Sequence, residues 1–334
     1  MKKILHLYSE HSASAVKALT TRTQGTVDNL CIALSQEGKD AALVEQQVNL
    51  SEVALIHAHS LLAGGTAAHH LHLQHHIPYI AAVSLEDIRY WKENPIRGRR
   101  ALIPVLEDAT RVVFLNDNFQ DFIADRLGDE DADRIFSRAL TLHDGIDPFW
   151  IQNLHIHKPV SMVHFRLLLA GEALSSKSVM PVLKAVDILR KRNYEVSLTV
   201  AGLAEGRPRG SGDDVQFLPS PTLEDLFRLF RENDIYITPA QQNASRQYFA
   251  EALSQGLPIL HDPFNGPDGL CQDGRIGYAT NTRSADDIAE KILLTSDRYA
   301  TIVQHIAELH PLHLFNWDEI YRGYLRVYDS AGGV

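Results

Sequence analysis

Histidines crowd between His57 and His76, in HAHS and AAHHLHLQHH, and imidazoles at that density could hold a metal ion. On a helix, His72 and His76 would share one face, as a ligand pair requires. No acidic or cysteine side chain is spaced to complete such a site, so these residues read as a polar helix surface and no metal is expected. A second stretch, DIYITPAQQNASRQYFAEALSQGLPIL from Asp234 to Leu260, sets a polar loop between a short apolar strand and a helix carrying Glu251. In parallel sheets such loops hold ligands beyond the carboxyl ends of the strands. RYWKENPIRGRR, residues 89 to 100, joins Arg and Lys to Tyr90 and Trp91. It reads as a solvated helix face with a packed Trp91, the alternative being contact with an anionic or lipid-linked acceptor at a membrane surface.

Short β-type runs alternate with helical patterns along nearly the whole chain. The expected strands are KILHLY, AALVEQ, VALIHAHS, YIAAVS, RVVFLN and ALTLHDG, then RLLLAG, VSLTVAG, VQFLP, IYITPA and LPILHD. Most are continuous apolar runs, which suits parallel strands covered on both faces. The clearest helix is VMPVLKAVDILRKRN, residues 179 to 193, with Val179, Val182, Leu183, Val186 and Leu189 on one face and Pro181 in its first turn. Repeated strand and helix units imply doubly wound parallel sheets, and 334 residues suit two domains of roughly 150 each. QNLHIHKPVSMVH, residues 152 to 164, has no clean period and reads as the link between the sheets.

A net charge of −10 argues against a nucleic-acid backbone as partner. Cys31 and Cys271 lie far apart without metal spacing, which fits a reducing compartment. MKKILHLYSEHSAS reads as a first strand and not as a signal peptide, and no run approaches the roughly 20 apolar residues of a membrane span. A cytoplasmic protein is expected, with peripheral contact at the inner membrane face left open.

Several segments then carry a family resemblance. LLLAGEALSSKSVMPVLKAVDILRKR, VSLTVAG and EALSQGLPIL followed by NGPDGLCQDGRIGYAT resemble the donor domain of retaining GT-B glycosyltransferases, in particular the large family four. LHDGIDPFW, HAHSLLAGGTAA and FNWDEIYRGYLRVY are similar to that family's domain junction, its His-Ala-His strand and its terminal helix. The resemblance implies two Rossmann-like domains facing a cleft: an acceptor domain over residues 1 to 156, a nucleotide-sugar donor domain over 157 to 312, and a helix over 313 to 334 crossing back to the first.

It further implies transfer of a sugar from a nucleotide-diphosphate donor, with retention and without a metal or other cofactor. Lys177 would neutralise the leaving diphosphate and Glu251 would accept the ribose hydroxyls. The family pattern also departs here. Its arginine is replaced by Glu172 and its first loop glutamate by Asn243; its Gly-Phe-Gly run is Ala244, Ser245 and Arg246. Arg246 could compensate at the phosphates, so the catalytic positions are Lys177 and Asn243, and the donor set is Glu172, Lys177, Asn243, Arg246 and Glu251. Ser84 stands for a histidine, and Gln24 and Gly25 for the double-glycine loop after the first strand; Ser84 and Gly25 are expected to line the acceptor side. DED, residues 129 to 131, imitates a metal-binding Asp-x-Asp but reads as a solvated turn. The departures leave a second reading, a degenerate subunit supporting an active partner glycosyltransferase, and a third, an epimerase of nucleotide sugars. The acceptor, a glycan or lipid-linked molecule, is not legible.

Overall fold

The computed structural model describes residues 3–332 apart from 36–39, 158–163, 205, 209–211, 213–214, 240–244, 263–269 and 310–311, and describes no side chain for residues 172, 245–247 and 312. In chain order the elements are β1 (Lys3–Tyr8), α1 (Ala13–Thr23), β2 (Asp28–Ala33), α2 (Ala41–Gln47), β3 (Val53–Ala58), α3 (Thr66–His75), β4 (Tyr79–Val83), α4 (Leu85–Glu93), α5 (Pro95–Asp108), β5 (Arg111–Phe114), α6 (Asp117–Ala124), α7 (Asp129–Phe136), β6 (Ala139–Thr141) and α8 (Pro148–Gln152). There follow β7 (His164–Leu174), α9 (Ser176–Lys191), β8 (Glu195–Leu203), β9 (Val215–Leu218), α10 (Leu223–Glu232), β10 (Ile235–Ile237), α11 (Ser245–Ser254), β11 (Ile259–His261), β12 (Gly277–Ala279), α12 (Ala285–Asp297), α13 (Tyr299–Glu308), α14 (Leu312–Phe315) and α15 (Trp317–Ser330).

The chain forms two compact units, one of Met1–Gly145 with Leu314–Val334 and one of Ile146–His313. Each contains a six-stranded sheet, ordered β2-β1-β3-β4-β5-β6 in the first and β12-β11-β10-β7-β8-β9 in the second. All pairings are parallel. Helical crossovers cover both faces of such sheets, which is why β4, YIAAV, is buried at every position. In each sheet the strand order reverses beside the first strand, between β1 and β3 in one and between β7 and β10 in the other. Those are the places where open parallel sheets leave a crevice at their carboxyl edge.

Three elements differ from the expectations. AALVEQ is α2 and not a strand: Ala, Leu, Glu and Gln are good helix formers, and the buried Ala41 and Val44 recur at helical spacing. The strand beside β1 is instead DNLCIA, hidden by Asp28 and Asn29, poor strand formers tolerated on a half-exposed edge. GYA is a further edge strand, β12, where Gly277 is required because a Cβ would lie 1.9 Å from the Ile259 carbonyl.

The break between units follows Gly145 rather than residue 156, because the segment after it is tied to the second unit. Trp150 packs on Phe227 and Phe230, the Asn153 carbonyl accepts from Arg231 and Gln255, and the His155 N–H donates to the Ser254 carbonyl. Residues 152 to 157 are therefore part of that unit's packing. α15 belongs to the first unit, where its Trp317 ring occupies the space a Cβ on Gly145 would need and its Asp318 meets Arg22 at 3.5 Å. In RYWKENPIRGRR the indole of Trp91 is buried against Phe122, and Gly98 is small because Trp91 lies against it. DED is the first turn of α7, where acids suit the helix dipole and Asp131 pairs with Arg134. Among the described residues no helix is long and apolar enough to cross a membrane.

Candidate functional site

The carboxyl ends of β7 and β10 lie side by side, since Leu167, Leu168 and Leu169 pair in register with Ile235, Tyr236 and Ile237. At the opposite edge, Arg166 forks onto Asp234 with bonds of 2.6 and 2.9 Å, which fixes that register. Past Ala170 the strand bulges: Ala170 pairs with Ala201 and Leu174 with Leu203, so Gly171, Glu172 and Ala173 lie opposite Gly202 alone. Gly202 has φ +93°, and a Cβ there would sit 1.8 Å from the Gly171 carbonyl oxygen, so only glycine fits. Ala173 carries a left-handed φ of +51°, a conformation that an L-residue adopts only under constraint. The bulge re-aims the chain between β7 and α9 at the reversal point of the sheet.

α9 begins there, and its start is like that of α1, with neither an acid nor a side-chain cap, and unlike those of four other helices. α4, α10, α12 and α15 each open with two acidic residues behind a capping Ser84, Thr222, Ser284 or Asn316. α9 has no acid in its first turn and no side-chain cap from Ser175; it carries the exposed Lys177 instead. A cation at the positive end of a 16-residue helix is electrostatically unfavourable by itself and becomes favourable when an anion sits between the two. The helix starts at Ser176, earlier than periodicity implied, so Pro181 lies inside it and the Lys177 carbonyl lacks its usual i+4 donor.

Glu251 projects from α11 and is 3% exposed. It is close enough to Tyr236 to help push that buried phenol upward, after burial itself and alongside Tyr248. The Tyr236 hydroxyl donates to the Ala170 carbonyl at 3.1 Å, directly before the bulge, so Glu251, Tyr236 and the end of β7 form one locale. α11 closes in a Schellman turn, with Gly256 N–H on the Leu253 carbonyl and Leu257 N–H on the Ala252 carbonyl. Gly256 has φ +76° and backs onto the His155 carbonyl, which accounts for the Gln-Gly-Leu-Pro order that leads into β11.

Of the residues expected at the donor site, Lys177 and Glu251 stand on the two helices that follow β7 and β10. Asn243 and Ala244 lie outside the described residues, as do the side chains of Glu172, Ser245 and Arg246. The two residues expected on the acceptor side each have a local structural role. Ser84 caps α4 in a reciprocal box with Asp87. Gly25 takes the φ +88° position of a turn closed by Thr26 N–H on the Thr23 carbonyl; it follows α1 and precedes β2, at the amino edge of the sheet, whereas the loop after β1 is Ser9 to Ser12. His72 and His76 share no helical face, because α3 ends at His75 and His76 is left-handed at φ 56°.

Two features escaped sequence reasoning. The buried Asp87 carboxyl accepts from Ser84 N and Oγ and from the Leu61 and Leu62 N–H groups, so it caps two helical turns at once. Burial raises its pKa against the pull of those bonds. His6, His57 and His59 gather into one buried cluster. No spacing signal joins His6 to the other two, since strand pairing across the sheet brings them together.

Residues 164–297 match the family model described as Glycosyl transferases group 1. A D-inositol 3-phosphate glycosyltransferase of Nocardioides sp. is 26% identical over 175 residues, covering 49% of this chain and 36% of that protein. The protein of the same name from Paenarthrobacter aurescens is 26% identical over 140 residues, 38% of this chain and 34% of the relative. A sucrose synthase of Denitrovibrio acetiphilus is 32% identical over 59 residues, 18% of this chain and 8% of that one. The matched region thus spans about a third or less of each curated relative.

Among solved structures, Anabaena HepE in complex with UDP and glucose aligns with TM-score 0.69 and 16% identity over 99% of this chain and 100% of that one. Sucrose-phosphate synthase from Thermosynechococcus elongatus aligns with TM-score 0.69 and 14% identity over 98% of each chain. The S. aureus MnaA–UDP structure aligns with TM-score 0.63 and 14% identity over 100% of this chain and 98% of that one. Likeness at this identity establishes the fold, which is GT-B.

Proposed function

From the match of residues 164–297 to the glycosyl transferases group 1 family model, we propose that the protein transfers a sugar from a nucleotide-diphosphate sugar to an acceptor, with retention and with no metal at the donor phosphates. The observation that carries the reading is the start of α9: no side-chain cap from Ser175, no acid in the first turn and Lys177, at the reversal point of the second sheet. The diphosphate of the donor supplies the anion this arrangement lacks, and the growing charge of the leaving group meets the helix N-terminus and the Lys177 ammonium. Glu251 accepts the ribose hydroxyls, being buried beside the end of β7. Asn243 and Arg246 serve the sugar and the phosphates. With retention, the leaving phosphate takes the acceptor's proton, so no separate protein base is needed. HepE with UDP and glucose, and MnaA with UDP, make uridine diphosphate the first nucleotide to try.

Calorimetric titration with uridine and guanosine diphosphates tests the donor site. Binding of one of them is expected, weakened about tenfold or more by Lys177→Ala and by Glu251→Ala. Absence of binding by both at about 1 mM removes the proposal. The replacement of the family's arginine by Glu172 favours one other reading, a subunit that binds nucleotide but supports a partner transferase. Nucleotide binding without donor hydrolysis, with a second glycosyltransferase co-purifying, selects it.

A further inference from the structure

We propose that His6, His57 and His59 form a zinc site inside the first unit, independent of the sugar-transfer reading. His6 on β1 and His57 on β3 are register partners across the strand reversal, and the His59 N–H, bonded to the Leu7 carbonyl, holds the third residue just beyond β3. One ligand nitrogen from each lies within 4.8 Å of the others, and small ring rotations bring three nitrogens to the ~2.0–2.1 Å of zinc–imidazole bonds. His6 and His57 are fully buried and His59 is 7% exposed, so the cluster is internal and not a chance surface grouping.

The surrounding hydrogen bonds orient the rings as those around metal ligands do. Asn29 donates from Nδ2 to Thr23 Oγ1, which turns its Oδ1 to His6 Nε2 at 2.9 Å. His6 therefore carries its proton on Nε2 and points the Nδ1 lone pair inward, 3.0 Å from His59 Nε2. His57 Nδ1 is held 2.9 Å from the Tyr328 hydroxyl, while its Nε2 is buried with no hydrogen-bond partner among the described residues. A buried nitrogen left so costs stability, and coordination satisfies it. On binding, His59 moves its proton from Nε2 to Nδ1, so three neutral imidazoles ligate with no net proton released. Burial already favours the neutral form of all three. An all-nitrogen set without carboxylate suits zinc and not magnesium or calcium, and leaves a fourth position for water. Through Tyr328 the ion would pin α15 to β1 and β3.

The test uses zinc sulfate alone on the full chain stripped with a chelator, read by competition with a chromophoric chelator, by metal content after dialysis and by melting temperature. One zinc per chain with a dissociation constant below about 1 μM is expected, with a raised melting temperature. His57→Gln and His59→Gln should each weaken binding at least ~100-fold, and Tyr328→Phe about tenfold through the orienting bond, while His72→Gln with His75→Gln leaves it unchanged. If the histidine variants misfold, Tyr328→Phe and the surface pair decide. No binding at about 100 μM zinc, or affinity that follows His72 and His75 and ignores Tyr328, overturns the site.

Discussion

The two strand reversals are built alike and filled differently. Between β1 and β3 the protein supplies its own partners: the Leu61 and Leu62 N–H groups are taken by the Asp87 carboxyl, and the crevice holds imidazoles and the Tyr328 hydroxyl. Between β7 and β10 no described side chain caps the start of α9, as is also true of α1. The strand ends in a bulge, α9 starts without an acid, and Lys177 adds positive charge where it is disfavoured unless something negative arrives. Identical topology therefore does not imply identical chemistry: a helix start capped by a buried carboxylate is structure, and the proposed donor site asks the start of α9 to take an anion instead.

The largest effect is expected where the first unit satisfies itself. Asp87→Ala leaves the Leu61, Leu62 and Ser84 N–H groups without their acceptor, the first buried and the other two half-buried, and should cost about 3–5 kcal/mol in urea unfolding. Asp87→Asn, which keeps one acceptor oxygen, should cost less. A loss below about 1 kcal/mol would mean that Asp87 is not what closes this helix start, and the contrast with α9 would fail.

The second unit keeps a buried imidazole too, but near the amino edge of its sheet. His157 Nε2 lies 3.2 Å from the Phe230 carbonyl, and its pKa falls from 6.5 to about 4 through burial first and the neighbouring His155 second; Arg166 lowers it further, while Asp234 and the Phe230 bond oppose the fall. The unfolded chain takes up a proton below about 6.5 and the folded chain does not. The stability is therefore full above 6.5 and lost as pH falls towards 4, by on the order of 3 kcal/mol. Hydrogen exchange of Ile146 to His157 at pH 7 and pH 5 checks this: protection should fall at pH 5 in the wild type and change little between the two in His157→Gln. An unchanged wild type would place this ring outside the folding balance.

These contrasts also explain what could be read from the sequence. Continuous apolar runs such as KILHLY and YIAAV announced parallel strands because burial on both faces leaves no other composition open. The edge strands β2 and β12 were missed because an edge needs neither the pattern nor the propensity. The order of the motifs placed Lys177 and Glu251 on the helices after β7 and β10, and their ligand roles belong to the proposal. Ser84 and Gly25 were assigned by position in a motif, and the structure gives them local work, a cap and a left-handed turn. The histidine cluster was illegible because its third member comes from another strand, and Asp87 because its partners follow a different strand.

Making the two units more alike is a sharper test. Ser176→Asp gives α9 the acidic first turn that α10 and α12 have. Without ligand it should stabilise the protein by about 0.3–1 kcal/mol, through the helix dipole and the nearby Lys177. It should also weaken nucleoside-diphosphate binding about tenfold, by placing a carboxylate where the phosphates would sit. A gain in stability with unchanged affinity would separate the α9 start from the donor site.

A comparably small effect on stability concerns the bulge. Ala173 holds φ +51° at the point where β7 turns towards α9, a conformation that costs an L-residue roughly 1–2 kcal/mol. Ala173→Gly removes that strain but adds conformational freedom to the unfolded chain, worth about 0.4–1 kcal/mol in the opposite sense. The net expectation is a gain of about 0.5–1 kcal/mol in thermal or urea unfolding, since relief of the backbone exceeds the entropy lost. The first unit has no counterpart at its reversal: β3 runs on to His59 with the N–H bonded to Leu7, and the described left-handed residues other than glycine lie at His76, Ala173 and Asn193. If Ala173→Gly stabilises the chain and at the same time lowers nucleotide affinity, the strained alanine holds the bulge in its binding shape; if stability drops instead, the left-handed turn is held by its surroundings and carries no strain to release.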